Sequence, residues 1–284
     1  MAQLALPTDI SETVQRALQE DIGSGDITSQ LIPANVQAPA QVISREVAIL
    51  CGTAWFNEVF KQLDSQVQVK WLVQDGEAIG PLQCLCQLNG SARSLLTGER
   101  TALNFLQLLS GTATVTQRYV AAIQGTHTRI LDTRKTLPGL RQAQKYAVQC
   151  GGGKNHRLGL YDAFLIKENH ILAAGSITQA VTTARHHIPL LPIEVEIETL
   201  EQITEALQAG VDILLLDNFN LEQLREAVIQ VQGRAKLEAS GGITLDTIRL
   251  IAEIGVDYIS VGAITKNVTA VDLSLQVLSS STPP

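Results

Sequence analysis

The chain has 284 residues, 45% of them hydrophobic and only 4% aromatic, which is enough for one large or two smaller cores filled mainly by Leu, Ile, Val and Ala. Its formal net charge of −7 argues against nucleic-acid binding, which needs a broad basic surface. No apolar run approaches the roughly 20 residues that span a bilayer, so a membrane partner is not expected either.

The first half of the chain is predicted to form a small α+β domain with an antiparallel sheet. Helices are expected over residues 8–20 and 54–64, and strands near 38–50, 66–74 and 81–89. The N-terminus lacks both a positively charged start and a long apolar stretch, so no signal peptide is predicted.

The four cysteines form no Cys-x-x-Cys pair and no zinc set with histidine. They are Cys51, Cys84, Cys86 and Cys150. We expect Cys84 and Cys86 on one face of a strand, as small buried side chains. This use of cysteine predicts a reduced, cytoplasmic protein.

A long helix, roughly over residues 93–123, is predicted to lead into the second half. Gly111 lies inside it and is expected to mark a break, because glycine weakens a helix interior. At the other end, the residues from about 270 are expected to form one short helix that returns to the N-terminal domain. The SSSTPP tail after it is expected to fray.

The second half repeats a unit in which a short apolar strand ends in a polar residue and an amphipathic helix follows. The strands are predicted at residues 129–133, 163–167, 193–197, 212–218, 236–240 and 258–262. Two of the helices between them end on a glycine, Gly210 and Gly255, just before a new strand. This alternation indicates a parallel sheet, and the lack of a glycine-rich dinucleotide fingerprint favours a barrel over a doubly wound sheet.

A basic segment is hidden by the acidic total: residues 129–170 hold eight Lys or Arg and three acids. A solvated basic surface is the alternative interpretation. In a parallel barrel, however, catalytic groups lie at the C-terminal ends of the strands. The candidates at those ends are Thr133, Arg134, Lys135, Lys167, Glu196, Asp217, Asn218, Ser240, Gly241, Gly242, Val261, Gly262 and Ala263.

The cations among these candidates suit a substrate with several anionic groups. Arginine presents a planar fork to carboxylate or phosphate, and lysine a mobile point charge. A further two donors, His156 and Arg157, follow the glycines at 151–153, which allow close backbone approach. The turns 240–242 and 261–263 are predicted to bind phosphate through backbone N–H groups, the first of them ahead of a helix that begins near Thr244.

The acidic candidates are Glu196 and Asp217. Beside a phosphate site, carboxylates accept hydrogen bonds from sugar hydroxyls or hold a divalent cation; the alternative is an ion pair with Lys167. Glu194, Glu196 and Glu198 share one face of a strand, and only one of them needs to reach the barrel mouth. With no Ser-His-Asp or Cys-His set apparent, this site suggests transfer of a phosphorylated sugar.

Eight segments together resemble the quinolinate phosphoribosyltransferase family along nearly the whole chain. They are EDIGSGDITS (20–29), TGERTALNFLQLLSGTAT (97–114), DTRKTLPGLR (132–141), CGGGKNHRLGLYDAFLIKENHI (150–171), IEVEIETL (193–200), LLLDNF (214–219), EASGGI (238–243) and VDYISVGAIT (256–265). The resemblance implies an N-terminal α/β sandwich domain, residues 1–110, onto which residues 270–284 pack. It also implies an open α/β barrel of about seven strands, residues 111–269. Glu168 departs from the family, which often has Asp there.

The resemblance also implies roles for the candidate residues. A homodimer, or a higher assembly of such dimers, is expected, in which Arg100 enters the neighbouring active site. Quinolinate is expected to be held by Arg100, Arg134, Arg157 and Lys167, with His156 close by. Phosphoribosyl pyrophosphate and Mg²⁺ are expected at Glu196 and Asp217, with Mg²⁺ bound directly or indirectly. The substrate's 5-phosphate is expected on Ser240–Gly242 and Val261–Ala263, and the catalytic residues are Lys135, Lys167, Glu196 and Asp217.

The implied reaction is a pentosyl transfer of NAD biosynthesis. The pyridine nitrogen of quinolinate attacks the anomeric carbon of phosphoribosyl pyrophosphate, and decarboxylation to nicotinate mononucleotide follows. Two alternatives are a ModD-like phosphoribosyltransferase homologue of molybdenum gene clusters and a non-catalytic sensor that keeps the pocket. The complete cationic set argues against the first, and the lack of any truncation of the site argues against the second.

Overall fold

The structure, a computed structural model, describes residues 4–278. The predicted fraying of residues 279–284 therefore concerns residues outside the described range. No helix in the described range has both the length and the apolar composition needed to cross a membrane.

Strands and helices of the first half lie close to their predicted positions. A 3₁₀ turn at Ser29–Leu31 lies between the first helix and the first strand. The elements are α1 (Ile10–Ile22), β1 (Gln37–Ser44), β2 (Ala48–Ile49), α2 (Thr53–Leu63), β3 (Gln68–Trp71), β4 (Ala78–Ile79), β5 (Cys84–Ser91) and α3 (Ala92–Ala122).

The second half alternates strand and helix, as predicted, and ends in a strand. Its elements are β6 (Arg129–Leu131), α4 (Arg141–Cys150), β7 (Phe164–Ile166), α5 (Glu168–Ala174), α6 (Ile177–His187), β8 (Ile193–Ile197), α7 (Leu200–Ala209), β9 (Ile213–Asp217), α8 (Leu221–Val231), β10 (Lys236–Ser240), α9 (Ile248–Ile254), β11 (Tyr258–Ser260), α10 (Ala263–Lys266) and β12 (Leu273–Val277). Gly210 and Gly255 cap helices in the left-handed conformation, with φ of 76° and 104°.

Within the described residues, β6 to β11 form a six-stranded parallel sheet in the order β6-β11-β10-β9-β8-β7. The first strand pairs with the last, which is the pairing that closes a barrel, while β6 and β7 remain edges, so the barrel is open between them. Lys154 adds a single parallel bridge to Leu131 beside β6. The predicted α/β barrel is confirmed, with six strands and this bridge in place of about seven strands.

An antiparallel sheet in the order β12-β1-β5-β3 is built from the first half and the end of the chain, and β2 pairs with β4 apart from it. The prediction of a terminal helix is wrong, because residues 273–277 form β12, which pairs with β1. Buried Leu273 and Leu275 alternate with more exposed residues, and this period of two favours a strand.

Helix α3 runs from Ala92 to Ala122 without interruption, so the predicted break at Gly111 is wrong. A side chain at this position would place its Cβ 2.1 Å from the carbonyl oxygen of Thr269. Gly111 therefore allows two backbone segments to approach closely, and this contact offsets the lower helix propensity of glycine.

By compactness the chain forms two units. The first contains the residues up to Gln117, Thr136–Gly152 and the residues from Thr265 onward. Its apolar core includes the fully buried aromatic side chains of Trp55 and Phe56 on α2. The Trp55 ring packs on Tyr146 of α4, and the Phe56 ring packs on Trp71 of β3. The second unit contains Arg118–Lys135 and Gly153–Ile264, and thus the whole parallel sheet. The predicted division of the sequence into residues 1–110 and 111–269 stays a prediction.

Candidate active site

The segment after the glycine run is held beside β6 by backbone hydrogen bonds. The N–H of Lys154 donates to the carbonyl of Ile130 at 2.8 Å, and the N–H of Asp132 donates to the carbonyl of Lys154 at 3.2 Å. Because this pairing is parallel, the residues that follow Lys154 run alongside those that follow β6. His156 and Arg157 are thereby brought to the same end of the sheet as Arg134.

Asp132, which the sequence interpretation passed over, fixes this arrangement. Its side chain is fully buried at the end of β6. One carboxylate oxygen accepts the side-chain N–H of Asn155 at 2.6 Å, and the other accepts the backbone N–H of His156 at 2.8 Å. Its position directly after an apolar strand was the available signal.

Arg134 and Arg157 form what we call the guanidinium pair. Burial lowers the pKa of Arg157, and the neighbouring positive charge of Arg134 lowers it further. Nε of Arg134 is buried and has no hydrogen-bond partner within residues 4–278, while one Nη of Arg157 donates to the carbonyl of Ala163 at 3.3 Å. Two like charges held side by side and partly desolvated favour an anionic ligand.

Lys167 and Glu196 face each other at the ends of neighbouring strands. Lys167 follows β7, and Glu196 lies in β8, where every residue is buried. Their side chains form an ion pair, as the alternative interpretation of Glu196 predicted. The lysine side chain stays about half exposed, at 44%, so it can still meet an anionic ligand.

The turn after β10 contacts the end of β9. The backbone N–H of Asn218 donates to the carbonyl of Ser240 at 2.9 Å, and the side-chain amide of Asn218 donates to Asp217 at 2.8 Å. A Cβ at Gly241, where φ is 97°, would lie 2.1 Å from Oδ1 of Asn218. Only glycine fits this position.

The predicted helix start near Thr244 is wrong, because α9 begins at Ile248, after a turn in which Thr244 bonds to Thr247. Any phosphate contact at this edge therefore depends on the N–H groups of the glycine turn itself, not on a helix terminus.

The turn after β11 lies against the residues that follow β6. A Cβ at Gly262 would lie 3.0 Å from Cδ of Lys135 and 3.5 Å from Oγ1 of Thr133. Thr133 in turn accepts the backbone N–H of Lys135 at 3.1 Å. Val261 is buried and Ala263 opens α10. The structure thus brings Thr133, Lys135 and the turn 261–263 together.

Near the guanidinium pair lies a second group, which we call the carboxylate cluster: His156, Glu194 and Glu238. The sequence predicts a site role for His156 but not for Glu194 or Glu238, nor their grouping. Nε2 of His156 is 2.8 Å from Glu194 and 3.7 Å from Glu238. The two glutamates are only 3% and 1% exposed. Burial and the neighbouring charge of Glu194 raise the pKa of Glu238 to about 8. Their signal in the sequence was an acidic residue inside an otherwise apolar strand.

Arg100 is exposed on α3 and belongs to the first compact unit, whereas the strand-end residues belong to the second. Of the other cations in the basic segment, Arg129 opens β6 at the end opposite to these strand ends. Arg141 and Lys145 lie on α4, in the first compact unit.

Comparison with known proteins identifies both halves of the chain. The family described as "Quinolinate phosphoribosyl transferase, C-terminal domain" matches residues 112–276, and its N-terminal counterpart matches residues 26–110. A probable nicotinate-nucleotide pyrophosphorylase [carboxylating] of Bacillus subtilis is 44% identical, covering 91% of this chain and 90% of its own. The nicotinate-nucleotide pyrophosphorylase of Mycobacterium leprae is 44% identical, covering 94% of this chain and 96% of its own.

A solved structure of the nicotinate-nucleotide pyrophosphorylase from Francisella tularensis matches the fold with a TM-score of 0.92. It is 49% identical, and the match covers 96% of this chain and 98% of that one.

Proposed function

This chain belongs to the quinolinate phosphoribosyltransferase family, and on that basis we propose that the cationic end of its parallel sheet binds quinolinate and phosphoribosyl pyrophosphate. Its activity is that of a pentosyltransferase of NAD biosynthesis, with quinolinate as the acceptor. The products are nicotinate mononucleotide, pyrophosphate and CO₂.

The guanidinium pair is the observation that carries the assignment of the quinolinate site. Quinolinate has carboxylates on adjacent ring carbons, and two adjacent guanidinium groups match two adjacent carboxylates in charge and in planar geometry. The buried Nε of Arg134, which has no partner within the described range, is a donor that such a carboxylate would satisfy. Lys167 supplies a third positive charge.

Phosphoribosyl pyrophosphate is assigned to the neighbouring strand ends. We place its 5-phosphate on the turns Ser240–Gly242 and Val261–Ala263, because a side chain at Gly241 or Gly262 would crowd Asn218 or Lys135 and glycine turns can bind phosphate through backbone N–H groups. Lys135 packs beside Gly262 and is placed to meet the pyrophosphate, with Thr133 holding its backbone.

Glu196 and Asp217 end neighbouring strands, β8 and β9, and we assign them to the ribose hydroxyls and to Mg²⁺. Their carboxylate oxygens are the hard ligands that Mg²⁺ prefers, and Asp217 is half-buried with one amide as its hydrogen-bond partner in the structure. Bound there, Mg²⁺ would stabilise negative charge on the pyrophosphate.

The residues then act by orientation and charge. Fixing both carboxylates aims the pyridine nitrogen at the anomeric carbon, where a C–N bond forms as the C–O bond to pyrophosphate breaks. Glu196 and Asp217 favour the positive charge that develops on the ribose, and Lys135 the negative charge of the leaving group. The carboxylate next to the ring nitrogen then leaves as CO₂, and its bonding electron pair stays on the ring carbon, which takes up a proton.

The product assay tests this proposal. Protein, Mg²⁺, phosphoribosyl pyrophosphate and quinolinate should give equal amounts of nicotinate mononucleotide and CO₂. Turnover of nicotinate but not of quinolinate would overturn the dicarboxylate assignment. The ModD-like and sensor alternatives both predict that quinolinate gives no nicotinate mononucleotide, so formation of this product would exclude both.

We further propose a cytoplasmic homodimer in which Arg100 completes the neighbouring active site. All four cysteines are free thiols, which supports a reducing compartment. Arg100 is an exposed cation on α3, outside the compact unit that holds the other assigned residues, which supports its use by another subunit.

Mixing two inactive variants tests this assembly. In the proposed dimer each site takes Arg134 from its own subunit and Arg100 from the neighbouring subunit. A refolded dimer of one Arg100→Ala chain and one Arg134→Ala chain should therefore contain one intact site and one site that lacks both arginines. An equal mixture should recover about a quarter of wild-type activity if the active site is shared across a two-fold dimer. Mixtures that stay as inactive as either variant alone would place Arg100 in its own subunit's site or outside the site.

A further inference from the structure

The His156 ring is held at both of its nitrogens. Nδ1 accepts the backbone N–H of Arg157 at 2.7 Å, and Nε2 lies 2.8 Å from a carboxylate oxygen of Glu194. A ring nitrogen that accepts a hydrogen bond carries no proton, so the proton of the neutral imidazole is on Nε2 and is donated to Glu194. The contacts therefore select one tautomer.

The carboxylates beneath the ring are kept at a high energetic cost. Glu194 and Glu238 lie on β8 and β10, on either side of β9, and both are almost fully buried. One oxygen of Glu194 and both oxygens of Glu238 lack a well-formed hydrogen bond within residues 4–278, although Ser260, Glu194 and His156 all interact with the Glu238 carboxyl. Buried carboxylate oxygens that are incompletely satisfied destabilise a fold, so a fold that retains them on two strands beside one histidine is expected to use them.

The contacts connect this cluster to the guanidinium pair. Arg157 is bonded to the His156 ring through its backbone N–H, and the backbone N–H of His156 is bonded to buried Asp132. The ring therefore fixes the main chain from which the Arg157 guanidinium extends toward Arg134.

We propose that Glu194 and Glu238 are positioning residues, which hold His156 as its Nε2–H tautomer and thereby set the place of Arg157 in the quinolinate site. His156 then acts through Arg157, since both of its ring nitrogens are engaged within the protein. This inference rests on the proposed function for its readout, but the tautomer can be measured without any substrate.

Glu194 and Glu238 have different shares in this role. Glu194 accepts directly from the ring, whereas Glu238 lies farther away, at 3.7 Å from Nε2. A proton on Glu238 removes one negative charge from the interior beside Glu194. Substitution at Glu194 should therefore have the larger effect on the substrate site.

Steady-state kinetics test the proposal with Glu194→Leu, which removes the acceptor and keeps the volume, and Glu194→Gln, which keeps a carbonyl acceptor. Glu194→Leu should raise the KM for quinolinate about tenfold or more, since a hydrogen bond to a charged group is lost. The KM for phosphoribosyl pyrophosphate should change less than about twofold, because its assigned binding groups keep their contacts. Glu194→Gln should restore most of the quinolinate affinity.

The matched control is Glu198→Gln, an exposed carboxylate that directly follows β8, which should leave both KM values unchanged. Equal losses for both substrates, or an unchanged quinolinate KM in Glu194→Leu, would overturn the proposal.

Nitrogen-15 NMR of the histidine rings gives the second test and needs no variant at position 194 to fold. The chain has five histidines, and a His156→Gln sample identifies the signal that belongs to position 156. The proposal requires a protonated Nε2 and an unprotonated Nδ1 in the substrate-free wild type. A protonated Nδ1 would overturn it. If the wild type turned over no quinolinate, the proposed function would fail while this tautomer measurement still decided the positioning role.

Discussion

The guanidinium pair and the carboxylate cluster are neighbours, but the charges of the first are partly exposed and the acidic groups of the second are buried. Arg134 and Arg157 are partly exposed, carry the same sign and hold a donor without a partner in the described structure. Glu194 and Glu238 are almost fully buried, and burial keeps one of them protonated up to about pH 8. The first group is open to a ligand from outside, whereas the second can reach only its own chain.

This difference assigns separate tasks to the two groups. Two like charges near solvent select a ligand of opposite charge, because attraction to the ligand offsets the free-energy cost of desolvating the site. Charge sealed inside selects an arrangement of the protein, because its partners are fixed side chains. Substitutions in the pair should therefore change affinity, and substitutions in the cluster should change geometry and stability.

The largest effect is expected from Arg134→Ala. Quinolinate binding should weaken by at least ~2 kcal/mol, because a charged carboxylate loses its partner. The thermal midpoint should stay the same or rise, since repulsion with Arg157 is removed. Titration calorimetry with quinolinate measures the change, and Arg129→Ala, at the opposite end of the same strand, is the control. An unchanged binding constant would remove Arg134 from the site.

Glu238→Gln should alter the pH dependence of stability. The folded pKa of Glu238 is raised from its ordinary 4.5 to about 8, so the folded state holds a proton that the unfolded state releases in this range. The wild type therefore loses stability as pH rises from about 4.5 to 8, and a glutamine does not titrate. The variant should gain roughly 1–4 kcal/mol relative to wild type between pH 5 and pH 8.

Urea unfolding of both proteins at the two pH values measures this difference. Parallel stability curves for wild type and variant would mean that Glu238 is ionised in the folded protein as well.

Gly241→Ala changes the same edge of the sheet but no charged group, so it separates an effect of backbone geometry from an effect of charge. The new Cβ would meet Asn218 at 2.1 Å and adopt a left-handed backbone. We expect a loss of roughly 1–2 kcal/mol of stability and a raised KM for phosphoribosyl pyrophosphate, with quinolinate binding preserved. Gly125→Ala is the control, because Gly125 is also left-handed but has nothing within 4 Å of the added Cβ.

Much of the second half could be predicted from its sequence because each strand is a short apolar run and each helix has its own apolar stripe. The strand ends at Lys167, Asp217 and Ser240 follow directly from that pattern. The prediction of a helix at the terminal strand β12 is wrong, although Leu273 and Leu275 alternate, because its partner β1 lies more than 200 residues earlier. The predicted break at Gly111 is wrong for a similar reason, since only the fold brings Thr269 to it.

Site residues are predictable where a suitable side chain stands at a predicted strand end. They are less predictable where burial by other elements sets the role of the side chain. Strand alternation placed Glu194 and Glu196 on one face, but it gave no way to tell that Glu194 bonds to His156. Glu238 lies in a third strand, and its raised pKa depends on neighbours that are distant in sequence. Such properties arise from packing, which a single sequence does not display.

The central claim is that two adjacent guanidinium groups recognise two adjacent carboxylates. Titration calorimetry of the wild type with quinolinate and with nicotinate, which lacks the carboxylate next to the ring nitrogen, tests this most directly. We expect quinolinate to bind at least ~30-fold more tightly, since one charged pair is missing in the nicotinate complex. Equal affinity for the two ligands would contradict the claim.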